Sequence, residues 1–76
     1  MNSRPTVHDL PNLRHIQIFN TALHSGSISL AAGKMYLTQP AASQGISNLE
    51  KDLGAPLLVR GGKRVTATEH GEIFAQ

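Results

Sequence analysis

The side chains best suited to chemistry lie on one face of a helix predicted over residues 39–53. Thr38 is a suitable N-cap, Pro40 is tolerated in a first turn, and Gly54 follows the last apolar residue. At about 100° per residue, one face carries small, mostly uncharged groups: Pro40, Ser43, Gln44, Ser47, Asn48 and Lys51. Amides and hydroxyls hydrogen-bond to base edges and phosphates, whereas an ordinary solvated helix face is rich in Glu and Lys. The pattern favours a helix that contacts a partner.

Two shorter helices are predicted before this one. Apolar residues spaced by three and four predict a first helix over 13–24, capped by Asn12, with one buried stripe. The members of that stripe are Leu13, Ile16, Phe19 and Leu23, widened by Ile18 and Ala22. A second helix is predicted over 29–36, where Ala31 and Ala32 would allow another helix to approach closely. The short connection to the helix at 39–53 is typical of a helix-turn-helix.

A hairpin and a further helix are predicted after Gly54. The runs 55–60 and 63–66 are typical of short strands, and Gly61 and Gly62 predict a tight turn between them. Thr68 is a suitable N-cap for a last helix over 69–76, where the chain ends while the helical pattern continues. We therefore expect the sequence to be a piece of a longer protein. Residues 1–12 contain two prolines and no sustained period, which predicts a flexible arm.

Composition and charge narrow the class of protein. The chain has 76 residues, enough for one domain, and no cysteine for a disulfide or a thiolate metal site. No apolar run approaches the roughly 18 residues of a membrane span, and the N-terminus has no signal pattern. We therefore expect a cytoplasmic protein without a membrane partner. The net charge is +2, and Arg60, Lys63 and Arg64 concentrate positive charge in the hairpin, which permits an anionic partner.

The sequence offers little for catalysis or for metal binding. The histidines, His8, His15, His24 and His70, do not have the spacing of metal ligands, and carboxylates are sparse. The serines of the Ser25–Ser29 region have no plausible base and orienting partner, and the paired glycines do not form a phosphate-binding loop. We expect no enzyme activity, no metal and no cofactor in this domain.

An ordered set of segments continues through residues 13–76 in one register without gaps. They are LRHIQIF at 13–19, GSISLAA at 26–32, LTQPAAS at 37–43, Ile46, Leu49-Glu50, Leu53-Gly54, LLVR at 57–60 and TATEHG at 66–71. In these segments the sequence resembles the N-terminal DNA-binding domain of the LysR-type transcriptional regulators. The resemblance implies a mainly α domain with a small β-hairpin, a winged helix-turn-helix over 13–68. It has a three-helix core, a wing over 57–66, and the start of a dimerisation or linker helix over 69–76.

The resemblance also implies a function and its partners. The recognition helix, residues 39–53, would enter the major groove of double-stranded DNA, and the wing would approach the backbone or the minor groove. Family members are bacterial, nucleoid-associated regulators that bind interrupted palindromic operators as homodimers through the linker helix, and often form tetramers. A small-molecule effector of unknown identity would bind a C-terminal domain that these 76 residues do not include.

Residue by residue, the resemblance assigns base reading to Gln39, Pro40, Ser43 and Gln44. Gln44 stands where arginine is common; a glutamine amide pairs with adenine and arginine favours guanine, so we expect a shifted base preference. Gly45 replaces a longer polar residue, which implies a lost contact. Contacts to the DNA backbone or from the wing are predicted for Ser27, Lys34, Thr38, Ser47, Arg60, Lys63 and Arg64. Ser27 and Thr38 are expected first of all to cap their helices.

From the sequence alone, two interpretations without a partner stay open. The polar face could be an ordinary exposed surface, and the charged hairpin could serve solubility and resist edge pairing. The rival function is a winged-helix module whose polar face binds a partner protein. Such a module needs exposed apolar anchors, and Leu57 and Leu58 are the best candidates in this sequence.

Overall fold

The computed structural model describes residues 12–75; residues 1–11 of the predicted arm, and Gln76, lie outside the described part. The elements are α1 (Leu13–Ser25), α2 (Ile28–Lys34), α3 (Gln39–Leu53), β1 (Leu58–Val59), β2 (Thr66–Ala67) and α4 (Glu69–Ala75). The two strands are antiparallel, with Leu58 opposite Ala67 and Val59 opposite Thr66. The predicted mainly α architecture with a small hairpin is confirmed.

Polar side chains fix where the first three helices begin. Each cap accepts a hydrogen bond from a backbone N–H two or three residues further on, at 2.8–3.2 Å. The caps are Asn12 for α1, Ser27 for α2 and Thr38 for α3. A cap of this kind contributes about 1 kcal/mol, because it satisfies a donor that has no partner within the helix. The predicted capping by Ser27 and Thr38 is confirmed.

One apolar core lies between α1, α2, α3 and the start of β1. Its largest fully buried side chains are Phe19, Ile46, Leu49 and Leu57. Between them lie small side chains that let the helix backbones approach, namely Ala22, Ala31, Ala32 and Ala42. The predicted three-helix core is therefore confirmed, and it leaves the polar side of α3 facing solvent.

The buried face of α1 differs from the predicted stripe. Its fully buried residues are Ile18, Phe19 and Ala22, so the side chains expected to widen the stripe form its centre. The prediction that Leu13 is buried is wrong: it is 68% exposed. Leu13 is the first residue of α1, and burial begins a turn later, where the helix meets its neighbours.

Helix α2 differs from the prediction, whereas α3 has its predicted bounds with an exposed last turn. Helix α2 covers 28–34 and not 29–36, because the backbone leaves the helix at Met35 and Tyr36 has a left-handed φ of 57°. Leu53 is 36% exposed because it lies in the last turn of α3, beyond the buried residues of that helix. It lines a small apolar groove beside α4 instead.

The hairpin differs from the prediction in its turn. Each strand has two residues, and residues 60–65 connect them, so the prediction of a tight turn at Gly61 and Gly62 is wrong. The backbone N–H of Val65 donates to the carbonyl oxygen of Gly26 at 2.9 Å. Because this bond ties Val65 to the turn between α1 and α2, the residue does not join the strand ladder and the loop is longer.

Helix α4 is fixed to the rest of the domain along its length. The hydroxyl of Thr68 accepts from the Gly71 N–H at 3.0 Å and donates to the Pro56 carbonyl at 2.7 Å. Further along α4, the Phe74 ring packs on Phe19 of the core, with ring centroids 5.8 Å apart and tilted by 57°. The predicted N-cap at Thr68 is confirmed, and α4 packs as part of the domain.

Replacing Gly71 with alanine should destabilise the domain, whereas Gly33→Ala should not. A Cβ atom at position 71 would overlap the carbonyl oxygen of Leu57, so the backbone would have to shift. We expect the free energy of unfolding to fall by about 1–3 kcal/mol. At Gly33 a Cβ atom meets open space, and the better helix propensity of alanine should raise stability by up to about 1 kcal/mol.

Urea denaturation followed by circular dichroism measures both changes. Equal stability of the two variants would contradict the close approach of α4 to the segment before β1.

Candidate nucleic-acid interface

One face of α3 presents the polar side chains predicted to contact a partner. The exposed members are Gln39, Pro40 and Gln44, and the half-buried members are Ser43 and Ser47. The first acidic residue of α3 is Glu50, so its first three turns offer hydrogen-bonding groups without negative charge. The opposite face is packed in the core, which holds the backbone under these side chains in place.

Gln44 is held by a side-chain hydrogen bond along this face. Its Nε2 atom donates to Oδ1 of Asn48, one helical turn further on, at 2.9 Å. Amide side chains four residues apart on a helix are within reach of each other. The helical periodicity places Asn48 on the polar face but predicts no contact for it; the four-residue spacing of the two amides is the signal that could have revealed this bond.

A groove of about 250 Å³ separates the wing from the N-terminal ends of α2 and α3. It brings together four predicted contact residues from three separate segments of the chain: Ser27, Gln39, Arg60 and Lys63. Two of these side chains are cationic and two can hydrogen-bond without charge, a combination that suits a phosphate group. Gln39 is shared between the groove and the polar face of α3, so the two form one continuous surface.

Glu50 connects α3 to the wing. Its Oε2 atom accepts hydrogen bonds from the backbone N–H groups of Leu57 at 2.7 Å and Leu58 at 3.3 Å. Its Oε1 atom lies 3.5 Å from Nη2 of Arg60 in a partly exposed ion pair. The carboxylate thus fixes the start of β1 against the helix and aligns a wing arginine. The sequence does not predict this role of Glu50, because no periodicity rule pairs a helix side chain with backbone N–H groups that follow the end of the helix.

Comparison with known proteins gives the family. Residues 13–72 match the model of the bacterial regulatory helix-turn-helix proteins of the lysR family. The chain belongs to this family. A probable RuBisCO transcriptional regulator from Cyanidioschyzon merolae is 42% identical over 67 residues, which cover 87% of this chain and 22% of that protein. The HTH-type transcriptional regulator BenM from Acinetobacter baylyi is 41% identical over 64 residues, which cover 84% of this chain and 21% of BenM.

A solved structure of the same family has the same fold. The crystal structure of the BenM DNA-binding domain in complex with catB site 1 DNA gives a TM-score of 0.82 at 40% identity, over 86% of this chain and 72% of that one. The predicted LysR-type winged helix-turn-helix and its assignment as a DNA-binding domain are confirmed. The family is one of transcriptional regulators and not of enzymes. The chain spans about a fifth of the length of the curated relatives.

In this LysR-type domain Arg64 lies against the turn between α1 and α2, outside the groove. Its Nη2 atom donates to the carbonyl oxygen of His24 at 3.4 Å, and its guanidinium covers Gly26. A cation near the C-terminal end of α1 interacts favourably with the helix dipole. Arg64 therefore has a structural contact of its own. Lys34, at the exposed end of α2, does not line the groove either.

Gly45, Leu57 and Leu58 are buried and do not have surroundings that suit a partner contact. Gly45 is buried, and a Cβ atom there would lie 2.9 Å from Cδ1 of Ile18 and 3.1 Å from Cδ2 of His15. The glycine therefore allows α1 and α3 to approach closely, and the position does not face a partner. Leu57 and Leu58, the apolar anchors considered for a protein partner, are 1% and 6% exposed because they belong to the core.

Within residues 12–75, no group of three or more His, Asp or Glu side chains is placed to hold a metal ion. Over the same range, none of the helices combines the length and apolar character that crossing a bilayer requires.

Replacing Glu50 with alanine should loosen the wing. The N–H groups of Leu57 and Leu58 would lose their acceptor, which we expect to cost about 1–3 kcal/mol of stability. Glu50→Gln is the matched control, since its amide oxygen can still accept from the same N–H groups while the ion pair with Arg60 is lost. An exposed ion pair of this kind contributes about 0–1 kcal/mol.

Chemical denaturation gives the stabilities, and amide hydrogen exchange at Leu57 and Leu58 reports the local effect. Exchange should accelerate strongly in the alanine variant and weakly in the glutamine variant. Unchanged exchange at both amides in the alanine variant would contradict the contact.

Proposed function

We propose that this domain binds double-stranded DNA sequence-specifically, with α3 in the major groove and the wing on the backbone or in the minor groove. The observation that carries the proposal is the continuous surface that Gln39 forms between the polar face of α3 and the cationic groove. Base reading is assigned to Gln39, Pro40, Ser43 and Gln44. Backbone and wing contacts are assigned to Ser27, Lys34, Thr38, Ser47, Arg60, Lys63 and Arg64.

The shape and chemistry of α3 support this arrangement. A major groove admits an α-helix and presents hydrogen-bonding patterns that distinguish the base pairs. The capping hydroxyls of Ser27 and Thr38 accept from backbone N–H groups. Because a hydroxyl accepts through its lone pairs, each O–H hydrogen is still available to donate to a phosphate oxygen. Capping and phosphate contact are therefore compatible in the same side chain.

The wider assembly is part of the same proposal. Residues 13–68 carry the DNA-contacting surface, and α4, which packs on them, begins the helix through which two copies pair on an interrupted palindrome. An apolar groove of about 190 Å³ beside α4, with Leu53, Ile73 and Phe74 in its lining, supports a pairing surface there. Ile73 is 65% exposed. The longer protein is a cytoplasmic, nucleoid-associated regulator of transcription, in which dimers assemble into tetramers and a further domain binds an effector.

Selection from a random-sequence duplex library tests the function directly. The 76-residue chain, immobilised at low salt, should enrich a common sequence motif, and pairing of two copies would appear as a two-fold repeat of it. Retention of duplexes without enrichment of a sequence would show that the domain binds DNA non-specifically through its positive charge. No retention at low salt would overturn the proposal and favour a protein partner.

Replacing Lys63 with alanine should weaken binding to all sequences alike. Lys63 is exposed and lines the groove, and each phosphate contact contributes about 0.9 to the slope of log K against log salt concentration. We expect the slope to fall by about that amount, as measured by fluorescence anisotropy across a salt series. Lys51→Ala is the matched control, because Lys51 is an exposed lysine on α3 that does not line the groove.

An equal loss of slope in the two lysine variants would show that the groove has no special role. Arg64→Ala should also weaken all sequences alike. It is a less specific test, because it removes the contact with His24 as well.

Replacing Gln44 with alanine should change the preferred base at one position of the site. A good bidentate pair provides about 1–3 kcal/mol of discrimination, which is roughly 5- to 150-fold. Anisotropy with the enriched duplex and its single-base variants measures the change. If Arg64→Ala altered the base preference while Gln44→Ala left it intact, the assignment of base-reading and backbone-contacting residues would be reversed.

A further inference from the structure

We propose that Asn48 is a positioning residue for base reading: it orients the Gln44 carboxamide so that this side chain reads adenine and rejects guanine. The inference rests on the proposed function, in which Gln44 faces a base. Its structural basis is the 2.9 Å hydrogen bond from Gln44 Nε2 to Asn48 Oδ1. Gln44 is exposed on the polar face, and Asn48 is half-buried one helical turn further on.

The hydrogen bond divides the Gln44 amide into two edges. A primary amide has two N–H hydrogens and one carbonyl oxygen. When the hydrogen anti to Oε1 is directed to Asn48, the edge that remains carries Oε1 and the hydrogen syn to it. Adenine presents N7 as an acceptor and N6–H as a donor in the major groove. The free edge of Gln44 matches this pattern in both positions.

The same bond disfavours guanine. Guanine presents two acceptors, N7 and O6, in the major groove. A free glutamine could turn both hydrogens of its NH₂ group toward them. Because Asn48 holds one of these hydrogens, only one donor of Gln44 remains, and Oε1 would face the O6 acceptor. Discrimination between the two purines therefore depends on Asn48 although Asn48 does not itself contact the base.

Asn48 is the neighbour along α3 that can hold the Gln44 side chain by a hydrogen bond. One turn before Gln44 lies Pro40, whose ring has no hydrogen-bonding group and whose position at the start of α3 is fixed by the N-cap at Thr38. A long, exposed side chain loses rotational freedom when it binds, and a partner that already orders it reduces that cost. The bond to Asn48 therefore favours adenine readout before DNA arrives.

Four proteins, the wild type and three variants, separate the inference from the function on which it rests. Wild type, Asn48→Ala, Gln44→Ala and the double variant are each used to select from the same random-sequence duplex library. Wild type should enrich adenine at one position. Asn48→Ala should reduce the adenine-to-guanine ratio there by about two- to tenfold, the cost of ordering one side chain. The double variant should match Gln44→Ala, because Asn48 acts through Gln44.

Asn48→Asp is the conservative variant, since a carboxylate oxygen can still accept from Gln44 Nε2. The added negative charge should weaken binding to every duplex, but the adenine preference should be retained. A merely structural role of Asn48 predicts the opposite: a lower melting temperature in Asn48→Ala with base preference unchanged. Melting curves of all four single and double variants accompany the selections.

The outcomes are distinguishable. If Gln44→Ala leaves the preference at every position unchanged, the reading role of Gln44 fails and the proposed function must be revised. If Gln44→Ala removes the preference while Asn48→Ala retains it in full, only the positioning role is overturned. Wild-type enrichment of guanine at that position, or a change at a different base in Asn48→Ala, overturns it as well.

Discussion

The carboxylate of Glu50 determines the shape of the candidate DNA-contacting surface. One of its oxygens accepts from the first N–H groups of the wing, and the other faces Arg60. On the return side, the Val65 N–H bonds to the carbonyl of Gly26. A two-stranded hairpin is marginal by itself, and here each strand has two residues. The wing therefore takes its position from α3 and from the turn before α2, and the groove between them keeps its width.

The features that sequence reasoning predicted well are those set by residues close together in the chain. Thr38 caps α3 because its hydroxyl reaches an N–H three residues on, and Gly54 ends the helix because it has a left-handed φ of 73°. The periodicity of 3.6 residues placed the polar and apolar faces of α3 correctly. Together with the match to the LysR-type segments, these local rules were enough to predict the fold and the class of function.

The features that were missed depend on contacts between distant segments. The close packing of Gly45 against α1 was not predicted: the sequence implied only a lost contact at this position, whereas a Cβ atom there would lie 2.9 Å from Cδ1 of Ile18. The turn of the hairpin was mispredicted because the backbone N–H of Val65 donates to the carbonyl oxygen of Gly26, which lies in a distant part of the chain. Neither the periodicity nor the turn propensities of the local sequence contain this information, so only the packed structure could supply it.

The packing of Phe74 on Phe19 has a mechanical consequence. The two rings join α4 to the centre of the three-helix core, and the hydroxyl of Thr68 holds the first turn of α4 to the segment before β1. A force applied along α4 would therefore displace the domain as a rigid body, without deforming the surface formed by α3 and the wing. In a pair of domains joined through this helix, a conformational change that moves the helix would alter the spacing and relative rotation of the two domains. The DNA-contacting surface of each domain would stay unchanged.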